Sequence, residues 1–382
     1  VPTLAVALFV LLMAAGGLGA RDSHTPIPDG LQGARDPAWA PDGARLALAL
    51  YDRLFLATPA GVTTGPLVSW AVPVLAERDP SWSPTGTELA FAADIGSGYD
   101  IFVVGAAGGA ARRVTALAGD ERWPSWTPDG RIVFALREGY QWDLAVVDPR
   151  STVPGVAADP HRLSATEDDE LEPAVSPDGS RVAFISDRDN EDGGLDVWLM
   201  PLPAAGVASV ADTAAAAWRV AQTLGDERRP GWAPDGDRVV VSTARSGLGS
   251  LWVVTLPGTE RGTDIAPAPP PVLVSRHAGH ASWSPDGSTL AVAALPREDS
   301  AYNGDPLRDV SEPPPLFARG EAFRLWLMPA PRKPDDDVRP LGRARGVQAA
   351  DWERMFDRVW TTLERLYYRT GVSAETWRRL GR

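Results

Sequence analysis

The side chains of this 382-residue sequence that could do chemistry are its serines, histidines, acids and one lysine. It has no cysteine, which removes thiolate nucleophiles, thiolate zinc sites and disulfides at once. Lys333 lies in APRKPDDDVRP, the composition of a solvated loop rather than of the apolar setting that turns an amine into a base. No serine has glycine both two residues before and two residues after it, so the strand-to-helix nucleophile elbow is missing. His24, His161, His277 and His280 are dispersed, and only His277 and His280 are near enough to meet, as a structural or solvated loop pair. Asp187, Asp189, Glu191 and Asp192 in SDRDNEDGGLD supply oxygens, but glycine and glutamate do not fall where a calcium loop needs them. A solvated hairpin turn is the plain reading and a weak calcium site the sharper one. The sequence therefore assigns no catalytic, cofactor-binding or metal residue within the chain, and no cofactor.

What the sequence does show is an element repeated six times. The copies are RDPAWAPDGARLALAL, RDPSWSPTGTELAFAA, ERWPSWTPDGRIVFAL, ELEPAVSPDGSRVAFIS, ERRPGWAPDGDRVVVST and HASWSPDGSTLAVAA. Their turn glycines, Gly43, Gly86, Gly130, Gly179, Gly236 and Gly287, stand 43 to 57 residues apart. Proline presets φ at the first corner of such a turn, aspartate bonds to the backbone two residues on, and glycine takes the positive φ. Thr85 replaces the aspartate once. The apolar runs that follow, such as Leu46, Leu48 and Leu50 or Val239 to Val241, are those of strands covered on both faces. YDIFVV, QWDLAVV, LDVWLM, SLWVV and FRLWLM read as third strands, and RRVT and HRLS as fourth strands. A strand-rich period of this length is that of a β-propeller with one four-stranded blade per repeat. The blades are expected to begin near residues 35, 78, 121, 170, 227 and 280, with the propeller spanning 35–342 and its last strand around VRPLG.

Two residues before each turn proline stands Trp39, Trp82, Trp126, Trp232 or Trp283, with Val175 in the fourth copy. A blade cannot bury its faces alone, so these indoles are expected to fill the gaps between blades rather than to form a ligand platform. The charges ahead of the strands, Asp36, Asp79, Arg122, Glu170, Arg229 and His280, are candidates for a polar channel lining, the alternative role being to cap loops between blades.

GDERWPSWTPDGRIVFA resembles the repeat of TolB-like propellers, also called WD-like repeats, over nearly all of 35–342. The resemblance implies an all-β, six-bladed propeller. The fourth copy departs from it by lacking the tryptophan, and the sixth by having Ala281 where the leading proline should be.

Residues 351–382 break the pattern. Trp352, Met355, Phe356, Val359, Trp360, Leu363, Leu366 and Tyr367 recur at helical spacing, with Asp351 as N-cap and Gly371 as stop. The segment WERMFDRVWTTLERLYYRTGVSAETWRRL resembles the helical lead-in of tricorn-type and tail-specific, carboxy-terminal processing peptidases, through Phe356, Asp357, Trp360, Tyr367, Tyr368 and Trp377. That resemblance implies a propeller which gates or docks polypeptide substrates for a serine peptidase, with the catalytic residues outside this chain. A non-catalytic periplasmic propeller that binds a partner protein is the competing reading.

The apolar run at residues 1–20, ending in small residues, reads as a secretory signal, with an uncleaved anchor or a buried strand as alternatives. Export to the periplasm or beyond follows from the first reading, with no membrane span once the signal is removed. The net charge of −13 argues against nucleic acid as a partner, while a polypeptide substrate or partner protein is what the resemblances imply. Proline and charge in 296–323 mark an insertion in the sixth copy, a disordered loop or a docking loop.

Overall fold

The computed structural model describes residues 25–26, 33–58, 63–152, 156–190, 194–205, 216–221, 226–243, 249–256, 270–275, 278–294 and 324–331. The chain divides into two compact units, Val1–Pro331 and Arg332–Arg382. The second unit, with the expected tail helices and the expected last strand around VRPLG, lies outside the described residues. So do the signal-like segment, the 296–323 insertion, His24 and His277.

The first unit is a six-bladed β-propeller. Blade one runs Arg35–Trp39, Leu46–Leu50, Arg53–Ala57 and Thr63–Pro66 as an antiparallel meander. Blades two to five repeat it, their first strands being Ala76–Trp82, Glu121–Trp126, Glu170–Val175 and Glu227–Trp232. In blade six, Ala278–Trp283, Thr289–Ala294 and Arg324–Pro329 are completed by Thr25–Pro26, with Thr25 opposite Leu327 and Pro26 opposite Trp326. Among the described residues, the outer strand of the last blade thus comes from ahead of residue 35. Closing the ring with residues from the other end covers an edge that would otherwise stand open.

The Pro-Asp-Gly turns form as expected. Gly43, Gly86, Gly130, Gly179, Gly236 and Gly287 have φ between 67° and 85°. Each amide donates to the carbonyl three residues back, as Gly43 does to Ala40 at 2.9 Å. Asp42, Asp178, Asp235 and Asp286 each accept from the amide two residues on.

Second strands such as Leu46–Leu50 and Arg238–Thr243 are buried at every residue, because each lies between two neighbouring blades. The core is accordingly six apolar layers, one at each blade junction, including the seam where Leu46 and Leu48 meet Ala291 and Leu325. The repeat tryptophans sit in these layers. Nε1 of Trp82, Trp232 and Trp283 donates to a carbonyl of the preceding blade, at Ala38, Ala174 and Gly231. Arg45, Arg181 and Arg238, each two residues after a turn glycine, lie over those same indoles at 4.8 to 5.0 Å. Nε1 of Trp39 and of Trp126 is buried without a hydrogen bond.

Candidate functional site

The residue just before the repeat proline determines what faces the ring axis. Asp36, Asp79, Trp123, Glu172 and Arg229 all occupy this position, and all have φ between 50° and 55°, the left-handed region that L side chains rarely adopt. Each lies in a β-bulge, such as the break in pairing between Arg78 and Ser81. Proline supplies no amide to the ladder, so the strand leaves its partner there and the preceding side chain turns out of the sheet.

Asp36, Asp79, Trp123, Glu172, Arg229 and His280 meet around one cavity of about 160 Å³, with Pro37, Pro80, Pro124, Pro230 and Ala281 in its walls. All six blades contribute, so this is the central channel. Arg229 of blade five crosses it. Its Nη1 is 2.8 Å from Asp79 Oδ1 of blade two, the blade opposite, and 3.3 Å from Asp36 Oδ1 of blade one. Its Nε is 3.7 Å from Glu172 Oε1, while Glu172 Oε2 accepts from the Arg229 amide at 2.6 Å.

Arg122 does not line the cavity. It holds the Asp79 carboxylate from behind, Nε to Oδ2 at 2.7 Å, and lies over the rings of Tyr99 and Trp123. Nδ1 of His280 is 2.5 Å from Asp36 Oδ1 and 3.3 Å from the Asp36 amide, so it donates to one or accepts from the other according to its proton.

Burial works to raise the Asp36 carboxyl, but Arg229 and His280 outweigh it and hold Asp36 far below the carboxylate range. The same contest at Asp79, with burial opposed by Arg122 and Arg229, also ends in a lowered value. Burial would lower Arg229, and Asp36, Asp79 and Glu172 together raise it instead. Asp36 and Asp79 are thus held ionised beside Arg229, and neither is poised as a proton-transfer group.

Of the six residues expected at the channel, four line it: Asp36, Asp79, Arg229 and His280. Glu170 does not. It is fully buried, accepting from Thr166 Oγ1 at 2.6 Å and from Arg188 Nη2 at 2.8 Å. Glu77, Glu121 and Glu227 occupy its repeat position in blades two, three and five, all buried. Glu77 takes the amide of Leu54, and Glu227 that of Val197, in the third strand of the preceding blade. These glutamates are staples between blades. Glu172 and Trp123 are the channel residues that charge-based reading passed over.

His161 lies exposed in the outer strand of blade three. Asp187 accepts from the Asp169 amide, and Glu191 and Asp192 lie outside the described residues.

No protein-family model and no curated protein matches the sequence. In three dimensions the chain is similar to a putative TolB from Agrobacterium tumefaciens, with a TM-score of 0.51 and 18% identity over 78% of this chain and 91% of that one. TolB from Acinetobacter baumannii matches with a TM-score of 0.49 and 16% identity, over 84% of this chain and 67% of that one. The fold is thus a TolB-like six-bladed β-propeller. Among the described residues no helix is long and apolar enough to cross a membrane.

Proposed function

We propose that this propeller is a non-catalytic binding module that docks a partner polypeptide on one face, at the mouth of its channel. One observation carries the reading. Turns between second and third strands, and connections between blades, share the face opposite the Pro-Asp-Gly turns. Tyr51, Val72, Leu75, Leu117 and Tyr140, five of the eight exposed large apolar side chains among the described residues, lie in these segments. Tyr51 is 67% exposed although it has φ of 49°, and Tyr140 is fully exposed at a turn tip. A bulky residue in a left-handed turn, turned outward, has no role in the core, and exposed tyrosine is typical of contact surfaces. Arg229 bars the channel below, which favours capture of a loop or chain end over threading.

The test is selection from a random peptide library on the immobilised full chain, followed by rebinding to a Tyr51→Ser/Tyr140→Ser variant. Enriched peptides that bind the variant at least about tenfold more weakly support the reading, in line with loss of two aromatic anchors. A library that yields no binder refutes it.

A second reading, that the module serves a tricorn-like serine peptidase of the bacterial envelope, is supported by the sequence of residues 352–377 and by the apolar run at 1–20. A downstream reading frame that carries a PDZ-like segment and a serine in a glycine-rich turn supports it, and a stop codon directly after Arg382 refutes it.

A further inference from the structure

We infer that the segment docked on this face is an uncharged, apolar stretch of another polypeptide, laid across the loops of blades one to three. The inference rests on the docking reading above and specifies its partner. The loops concerned carry almost no charge. LVSWAVPVL between blades one and two, IGSG at the tip of blade two and TALAG between blades two and three hold no acidic or basic side chain. Val72 and Leu75 stand exposed in the first and Leu117 in the third, with Tyr51 and Tyr140 at the two ends of the arc.

These loops make one continuous surface, because each is bonded to the next. The Glu77 amide donates to the Asp52 carbonyl at 2.9 Å and the Leu75 amide to the Asp94 carbonyl at 2.7 Å. Asp120 then ties blade two to blade three, its Oδ1 accepting from the Tyr99 amide at 3.0 Å and its carbonyl from the Arg137 amide at 2.8 Å. Gly96 and Gly98 both have φ of 105°, and a Cβ on Gly98 would stand 2.8 Å from Asp120 Oδ1. The tip of blade two is thus kept free of bulk, and a chain can pass from Leu75 to Leu117 with its backbone close to the surface.

The charges that border the arc are already paired within the protein. Asp52 is held by Arg78, Glu138 by Arg162, Asp120 by Arg137 at 2.8 Å and Glu77 by Arg53 at 3.4 Å. Asp94 Oδ1 accepts from the Gly96 amide at 2.7 Å. A charged group of a partner pressed here would lose water without meeting a free counter-charge, whereas an apolar one buries area on both sides. Blade four bounds the arc, since its corresponding loops carry Glu167, Asp168, Asp169, Asp187 and Asp189. Two copies of a chain of net charge −13 repel each other, and an anionic lipid surface repels the same charge, so the arc suits a different polypeptide.

The experiment uses peptides selected on the full chain, as above, read by fluorescence anisotropy. Their shared core is expected to lack Asp, Glu, Lys and Arg, and their affinity to fall less than about threefold between about 0.05 and about 0.5 M salt. Leu75→Ser/Leu117→Ser should weaken them at least about tenfold. The variant is first compared with the parent by near-ultraviolet circular dichroism, and if it fails to fold, the salt dependence of the parent still decides. A shared charged residue, or a larger fall with salt, overturns the inference and leaves the docking reading intact. Peptides indifferent to Leu75→Ser/Leu117→Ser likewise overturn it, because they bind elsewhere. Without peptide, a mass that rises with protein concentration, or flotation with phosphatidylcholine vesicles, overturns it in favour of a second copy or of lipid if the double variant abolishes the effect. A library without binders removes the docking reading and this inference with it.

Discussion

Replacing Glu121 with glutamine should stabilise the propeller, and more so as pH rises. Glu121 is fully buried, and its Oε2 accepts from Thr115 Oγ1 at 3.0 Å. Its Oε1 is buried without a hydrogen bond. Glu77 and Glu170 have Arg53 and Arg188 within reach, but the charged neighbour of Glu121 is another carboxyl, Asp100, which Arg113 holds through a two-pronged contact at 2.7 Å. Burial first, and the Asp100 charge second, push the Glu121 carboxyl up from 4.5 to about 8. At neutral pH the folded protein therefore keeps a proton here that the unfolded chain has released, and Oε1 becomes a donor toward Asp100. Where the folded state holds the extra proton, stability falls as pH rises, by at most about 1.4 kcal/mol per pH unit for one group. The decline begins near pH 4.5 and ends near pH 8. It amounts to about 3 kcal/mol by pH 7 as an upper bound, a large share of a typical folding free energy. Glutamine keeps the acceptor for Thr115 and supplies the donor permanently. Urea unfolding of parent and Glu121→Gln from pH 5 to 8 should give curves that meet at the acid end and diverge steadily toward the alkaline one. Glu77, Glu170, Asp143 and Asp196, also raised chiefly by burial, are common to both proteins and cancel in the difference, whereas Asp100, which interacts with Glu121 directly, is part of the effect measured. Parallel curves would refute a proton shared between Glu121 and Asp100.

Three further predictions concern the indoles, the turn glycines and the exposed tyrosines. Trp232→Phe should cost about 1 kcal/mol more than Trp126→Phe in urea unfolding, because Trp232 Nε1 donates to Ala174 at 2.9 Å while Trp126 Nε1 has no partner; equal losses would show the hydrogen bond to be idle. Gly236→Ala and Gly179→Ala share the left-handed strain, at φ 73° and 71°, but only at Gly179 does the added Cβ meet Pro128 Cδ, at 2.8 Å. Gly236→Ala should cost about 1 kcal/mol and Gly179→Ala about 1 to 3 kcal/mol more, and thermal unfolding that ranks them equally contradicts this. Loss of peptide binding in Tyr51→Ser/Tyr140→Ser is measured as described above.

Features that act within one repeat could be read from the sequence. A Pro-Asp-Gly turn needs only its own backbone, and an indole at a fixed offset needs only a neighbouring blade to cover it, so both were visible in six aligned copies. The channel was harder because charge is a poor guide to direction. In ELEP, Glu170 and Glu172 look interchangeable, yet the bulge between Leu171 and Ala174 turns Glu172 toward the axis and leaves Glu170 in the layer between blades. In ERWP the charged Arg122 draws attention, but the residue before the proline is Trp123, which lines the cavity. Counting one residue back from every proline finds the lining in blades one to five. The glutamate two residues earlier, in blades two to five, resembles surface charge because its burial depends on groups distant in sequence, such as the Leu54 amide for Glu77 and the Val197 amide for Glu227.

Blade six shows what the proline does by lacking it. Ala281 has an amide and stays in register, opposite Val292, and His280 pairs with Ala293. In the other five blades the residue before the proline drops out of the ladder and adopts positive φ. His280 thus enters the channel while still paired in the ladder, the irregularity falling between Ala278 and His280 instead, and its Nδ1 reaches Asp36 across the seam between the last blade and the first. Thr25–Pro26 supplies the outer strand of blade six, and Ala34 stands at this seam where blades two to five carry the buried glutamate, as Ala278 does at the junction of blades five and six. The seam is therefore held by a different set of forces from the four junctions that a glutamate staples. Its outer edge is closed by a strand from the start of the chain, and its inner edge by the imidazole–carboxylate contact at the axis. That contact falls on the carboxylate which Arg229 Nη1 approaches less closely, Asp36 at 3.3 Å against Asp79 at 2.8 Å, so the imidazole completes the hold on Asp36 that the arginine leaves partial.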